Sequence, residues 1–190
     1  MANKPQSEII CRRALDADFA PAANLLNRYH FSRLSPEERR DGFISVRFTP
    51  DELRELTKDI GMFVAVAETN MLGCLCCSDV GSHSLTPTPF HTMRENFDRW
   101  SFHGKPLSQW RAFAYGPVCI EAAARGQGLL RRLFATMLPA VRNRFDIGTS
   151  FIAKSNERSL AAHVHQLGMI PIGTFRHNDW EFVVLAFDIA

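Results

Sequence analysis

Two glycines beside an arginine, Arg125-Gly126-Gln127-Gly128, lie between a strand-like run, "AFAYGPVCI", and a run that opens on "LLRRLFATML". The first turn of a helix leaves backbone N–H groups without partners and carries about half a positive charge. Glycines remove the side chains that would keep a bulky anion away from those groups, and Arg125 adds a fixed charge. This combination is a phosphate cradle. Leu129, Leu130, Leu133, Phe134, Met137, Leu138 and Val141 form the apolar stripe that docks the helix on a sheet. Arg131 and Arg132 fall on the other face. Pro139 also lies off the stripe and predicts a solvent-side kink or an early helix end.

The phosphate is not that of the two commonest glycine loops. A Walker A loop needs Lys and then Ser or Thr after its last glycine, where this chain has Leu129 and Leu130. The dinucleotide pattern needs a third glycine where Arg131 stands.

The elements around the turn must position it. "EIICRRA" reads as a first strand, followed by a helix capped by Asp16 or Asp18 and running to about His30. "SPEE" at Ser35 and "TPDE" at Thr49 are both capping boxes with Pro at the first helical position, so two more helices start there. "MFVAVAE" and "MLGCLCCS" form a hairpin turning on Thr69 and Asn70. After the glycine turn come the strand "FDIGTSFIA", a helix opening on Asn156 and closing on Gly168, and a terminal hairpin about "HND". The β-α-β-α middle implies a sheet that is partly parallel. Residues 79–110 form a long excursion broken by Pro87, Pro89 and Pro106, with "FHTMRENFDRW" as a candidate helix.

The turn and its setting resemble the GCN5-related N-acetyltransferase (GNAT) superfamily. Arg125-Gly126-Gln127-Gly128-Leu129-Leu130 is similar to the family's R-x-x-G-x-G/A turn, with Leu130 replacing the final small residue. "NERSLAAHVHQLGMIPIGTF" resembles the second signature: Asn156, Ser159, Leu167 and Gly168 match, and Met169 replaces the usual Phe. One extra residue separates Asn156 from Gly168. Val164 stands where the family often has Tyr, with His163 beside it.

The resemblance covers nearly the whole chain and implies an α/β fold: a twisted mixed sheet with two splayed parallel strands, flanked by helices. It implies one domain over 1–190, with 79–110 inserted before the cofactor strand. It further implies acetyl-coenzyme A as cofactor. The turn (Arg125, Gly126, Gln127, Gly128, Leu129, Leu130) would hold the pyrophosphate, with Val118, Cys119, Ile120 and Asn156 along the pantetheine arm. Gly116-Pro117 inside the strand independently predicts a bulge or bend, since proline cannot donate to a ladder; an edge strand with Pro117 in solvent is the other reading. Main-chain groups of Val118 and Ile120 would face the arm.

The expected activity is acetyl transfer to a primary amine of a small acceptor, and the alternative is a non-catalytic coenzyme A sensor of the same fold. Tyr115 and His163 are the candidate acids, and Glu68 and Glu121 the candidate bases. His163, at the edge of its helix stripe, reads first as a packed or hydrogen-bonded residue and second as a catalytic one. Acceptor selection is expected in His30–Thr49 and Asp79–Gln109, where Phe97 and Trp100 stand among many aromatics that can equally anchor the excursion to the core.

The 190 residues are 46% hydrophobic with net charge +2, which fits a packed core and demands no nucleic acid or membrane partner. The apolar runs are too short to span a bilayer, and "MANKPQSE" lacks the apolar segment of a secretory signal. Five cysteines, three within "CLCC", read as free thiols in a reducing cytoplasm. Cys74, Cys76 and Cys77 lack a second cluster at ligand spacing, so no metal is expected. Cys119 reads as a small buried side chain. A homodimer is compatible with all of this.

Overall fold

The computed structural model describes residues 8–81 and 89–189. The polar start and Pro87 lie outside them. The strands are β1 (Ile9–Arg13), β2 (Gly61–Ala67), β3 (Asn70–Asp79), β4 (Ser101–Phe102), β5 (Lys105–Pro106), β6 (Ala112–Ile120), β7 (Ile147–Ala153), β8 (Ile170–His177) and β9 (Trp180–Asp188). The α-helices are α1 (Phe19–Arg28), α2 (Pro36–Arg39), α3 (Pro50–Thr57), α4 (Pro89–Arg94), α5 (Leu129–Val141) and α6 (Glu157–Leu167).

Seven strands form one sheet in the order β1-β2-β3-β6-β7-β9-β8. Neighbours are antiparallel except β6 and β7, which run parallel. This mixed sheet with its flanking helices is the expected fold class. Strand alternation sorts the core into two faces. Phe63, Leu75, Cys77, Phe113 and Leu185 pack under α5 and α6. Met62, Val64, Cys74, Cys76 and Cys119 pack under α1 and α3, and Val184 and Ala186 meet the excursion on that same side.

Local chemistry explains several boundaries. Ser35 Oγ accepts from the Glu38 N–H, and Glu38 Oε2 from the Ser35 N–H. Thr49 and Glu52 repeat the arrangement at α3. Asp18 behaves differently from expectation: its carboxylate accepts from the Leu15 N–H and pairs with Arg12, following a 3-10 turn, and α1 starts without a side-chain cap. The β2–β3 turn is Glu68-Thr69, one residue early, because Asn70 already pairs with Ala67. α5 continues two residues past the exposed Pro139 and ends at Val141.

The excursion is the largest revision. "FHTMRENFDRW" is helical only over α4 and a 3-10 turn at Phe97–Arg99, and β4–β5 is a separate small hairpin. Phe97, Trp100 and Phe102 are buried against Phe175, Phe182 and Val184. A Cβ on Gly173 would lie 2.3 Å from Trp100 Cδ1, so the indole occupies the space a side chain there would take. These aromatics anchor the segment to the sheet. No helix among the described residues is long and apolar enough to cross a membrane.

Candidate functional site

β6 and β7 stay in register for three pairs only: Ala112–Ile147, Phe113–Gly148 and Ala114–Thr149. Beyond them the strands part. The cause lies on β6, where Gly116 and Pro117 stand opposite the single residue Cys76 of β3; this is the bulge expected from the glycine-proline pair. Past the bulge, the Glu121 N–H donates to the Leu72 carbonyl at 2.8 Å. Antiparallel alternation then aims the main-chain groups of Cys119 at β3 and those of Val118 and Ile120 at the gap. The Ile120 carbonyl is indeed turned away from β3 and accepts from Arg125 Nε at 3.1 Å.

The gap opens into a cleft of about 450 Å³ whose walls include Val118, Cys119, Ile120, Gly128, Asn156 and His163. At one end is the glycine turn. Gly126 has φ +78° and Gly128, the residue that caps α5, has φ +72°. A Cβ at either would meet nothing within 4 Å, so the turn faces open space. The first helical bond runs from the Arg132 N–H to the Gly128 carbonyl. The N–H groups of Leu129, Leu130 and Arg131 therefore lack helical partners. Leu129 sinks into the core and Leu130 lines the cleft. Gln127 is exposed, folds back on the Ala123 carbonyl, and lies outside the cleft wall.

Arg125 lines the cleft and donates from Nε to the Ile120 carbonyl and from Nη1 to the Asp41 carbonyl, with its guanidinium 4.9 Å from the Tyr29 ring centroid. Its charge sits in the cleft wall, but its hydrogen bonds hold the Asp41–Ile44 segment. Arg158 was not singled out by sequence; the segment itself lies within His30–Thr49, the first region expected to select the acceptor. It straps across the cleft: Arg158 pairs with the Asp41 carboxylate, and Asn156 Nδ2 donates to the Phe43 carbonyl at 2.9 Å. The one local hint was its position between two capping boxes. Asn156 is 6% exposed, and its Oδ1 has no hydrogen-bond partner among the described residues.

His163 is 3% exposed and lines the cleft. Its Nδ1 lies 2.7 Å from the Ser159 carbonyl. A carbonyl only accepts, so Nδ1 carries the proton and Nε2 the lone pair. Burial lowers its pKa, partly opposed by the Ser159 bond. The ring is packed and hydrogen-bonded, with Nε2 as its acceptor atom. Tyr115 lies beneath His163 in a T-shaped contact of 5.6 Å, outside the cleft wall, and burial holds its phenol well above the usual range. Glu121 is committed to Arg28 and to the Tyr29 hydroxyl, 2.5 Å from each. Glu68 sits exposed in the β2–β3 turn, away from the cleft wall. Burial pushes the Cys119 thiol up to about 12, which makes it inert. No group of metal-ligating side chains occurs among the described residues.

No protein-family model and no curated protein matches the chain. Solved structures do. An N-acetyltransferase from Staphylococcus aureus Mu50 superposes with TM-score 0.60 at 16% identity, over 97% of this chain and 100% of that one. The ribosomal-protein-S18-alanine N-acetyltransferase from Escherichia coli superposes with TM-score 0.59 at 12% identity, over 96% and 95%. The fold is GNAT-like. A chain in the NatC complex bound to Gag peptide and CoA matches with TM-score 0.61 at 15% identity, over 95% of this chain and 98% of that one. At such identities the likeness is one of architecture. In the GNAT-like frame, the parted strands and the glycine turn are neighbouring parts of one cleft.

Proposed function

We propose that the chain is a GNAT-superfamily enzyme that transfers an acyl group, acetyl foremost, from acyl-coenzyme A to a primary amine of a small acceptor. The observation that carries this reading is the parting of β6 and β7 beside a helix N-terminus stripped of side chains. The cleft fits the cofactor in two further respects. The Asn156 Oδ1 is a buried acceptor without a donor, as an amide N–H of a pantetheine arm would supply. The unpartnered N–H groups at the start of α5 suit a pyrophosphate, with Arg131 and Arg158 in the same wall.

Acyl-coenzyme A brings a thioester already activated for attack, so little chemistry is left to the protein. The Val118 N–H faces the gap and can polarise a carbonyl placed there. His163 Nε2 accepts the proton that the amine sheds on attack. The walls hold the two reactants together, which supplies much of the acceleration. The Asp41–Ile44 strap belongs to the first of the two segments expected to choose the acceptor, with Tyr29 just before that segment in the same wall; the aromatic part of the second is core.

Calorimetric titration with coenzyme A, on the native chain and on Gly126→Val, tests the cofactor reading. Tight binding lost in the variant supports it, and no binding by the native chain sinks it. Coenzyme A release from acetyl-coenzyme A with amino acids, polyamines, aminoglycosides and peptides then separates an enzyme from a sensor.

A further inference from the structure

The Asp41–Ile44 strap is held differently at its two ends. At Ile44 the hold is main chain: the Ile44 N–H donates to the Tyr29 carbonyl at 2.8 Å, and the Ile44 carbonyl accepts from the Phe31 N–H at 3.0 Å. From Asp41 to Phe43 the hold comes from side chains of the cleft walls. Arg125 and Arg158 both donate to Asp41, and Asn156 Nδ2 donates to the Phe43 carbonyl at 2.9 Å. Between them Gly42 has φ +104°, a conformation that costs glycine little. The Asn156 amide is used at one end only. Its Oδ1 is buried and has no hydrogen-bond partner among the described residues. A Cβ on Gly42 would lie 3.5 Å from this oxygen, so the strap passes beside it. The Gly42 N–H donates to the Arg39 carbonyl at 3.1 Å and does not serve it. Asn156 makes no side-chain cap on α6 either. It lines the cleft together with Gly42, Phe43 and Ile44.

A buried acceptor without a donor is costly. The strap, closed beside Asn156, keeps water from Oδ1, so the closed arrangement carries that cost until an N–H reaches the oxygen from the cleft. A donor there removes the cost. An amide that accepts at its oxygen also donates more strongly from its nitrogen. Both effects favour the closed strap. We propose that Asn156 is a positioning residue that couples the two halves of the cleft: an amide N–H of the bound pantetheine arm, donating to Oδ1, locks the strap through Phe43, and the locked strap presents Phe43 and Ile44 as the acceptor wall. The proposal rests on the acyl-coenzyme A reading above. The Phe43 ring packs on Trp180 with centroids 5.3 Å apart, which gives the strap a defined seat when locked. Coupling of this kind is reciprocal: an acceptor that packs on the locked strap gains from the cofactor the same factor in affinity that the cofactor gains from it.

Hydrogen exchange of the strap tests the link without an acceptor. The Gly42 and Ile44 amides are hydrogen-bonded to the Arg39 and Tyr29 carbonyls, so their exchange follows opening of the segment. Mass spectrometry follows the peptide that carries them, with no addition, with reduced coenzyme A at a concentration that calorimetry shows to be saturating, and with ADP, which has the pyrophosphate and no pantetheine amide. In the native chain coenzyme A should slow exchange by at least about fivefold, and ADP should leave it within about twofold. In Asn156→Ala, saturating coenzyme A should no longer slow the strap. Asn156→Asp keeps an acceptor oxygen and gives up the donor, so coenzyme A should still bind while the strap fails to respond. A purely structural Asn156 would change the exchange rate and leave its dependence on coenzyme A intact. Slowing by ADP equal to that by coenzyme A, slowing that persists in either Asn156 variant, or a native strap indifferent to bound coenzyme A overturns the link alone. The comparison of ligands on the native chain decides even where a variant does not fold. Failure of the native chain to bind coenzyme A removes the cofactor reading and this inference with it.

Discussion

Arg125 Nη1 donates to the Asp41 carbonyl at 2.7 Å, which ties the wall of the glycine turn to the strap. Arg158, on α6, holds the carboxylate of the same residue. Asp41, the only carboxylate lining the cleft among the described residues, thus occupies an arginine near the glycine turn. Asp41→Ala leaves the main-chain bond to Arg125 and frees Arg158. Coenzyme A affinity should rise by about threefold at low salt, in keeping with an exposed ion pair, and the gain should shrink as salt is added. Calorimetry at two ionic strengths reads this; weaker binding would show that the carboxylate serves the ligand by holding the strap.

The glycine turn should be intolerant for a conformational reason as well as a steric one. Gly126 and Gly128 both occupy the left-handed region, where a side chain costs about 1–2 kcal/mol. Gly128→Ala should lower stability by about that amount in urea unfolding. Gly126→Val adds bulk in the open space before α5 and should weaken coenzyme A binding by roughly tenfold or more, about 1.4 kcal/mol. Unchanged affinity in a folded variant would remove the cradle.

His163 sets a pH dependence with a definite sign. Its folded pKa is lowered by burial from the ordinary value of 6.5. Just below that value the unfolded chain therefore holds more protons than the folded one, and stability falls as the solution is acidified. His30, lowered chiefly by burial and then by Arg47, adds to the same slope. Denaturant unfolding between about pH 5 and 7 should show the loss, and His163→Asn should flatten it. Acyl transfer by the native chain should decline over the same acidic range, because a protonated ring no longer accepts.

Trp100 should behave as a core residue. Trp100→Ala is expected to cost about 3–5 kcal/mol and to leave coenzyme A affinity unchanged. Gly173→Ala, whose Cβ would fall on the indole, should also destabilise. A large change in acceptor KM with little loss of melting temperature in Trp100→Ala would return this segment to the acceptor site.

Some of this molecule was legible from its residues in order. The capping boxes at Ser35 and Thr49, the stripe of α5, the bulge at Gly116-Pro117 and the glycine turn are set by backbone sterics and by contacts within a few residues. Such features form the same way wherever the segment is placed. Asn156 and His163 were also singled out, though their hydrogen-bond partners were not. The Asn156 amide faces the Phe43 carbonyl rather than capping its helix, and the Ser159 carbonyl fixes which His163 nitrogen is the acceptor.

The remainder depended on residues far apart in the chain. That Arg125 also ties down Asp41, 84 positions earlier, has no signal near either residue. Trp100 and Phe97 read equally as pocket or core until β8 and β9 are folded beneath them. The Tyr115 hydroxyl carries no signal in its own strand, because it becomes unusual only when it is buried without a partner among the described residues. That condition belongs to the packing of β6, β7 and α6 together, and no local pattern encodes it.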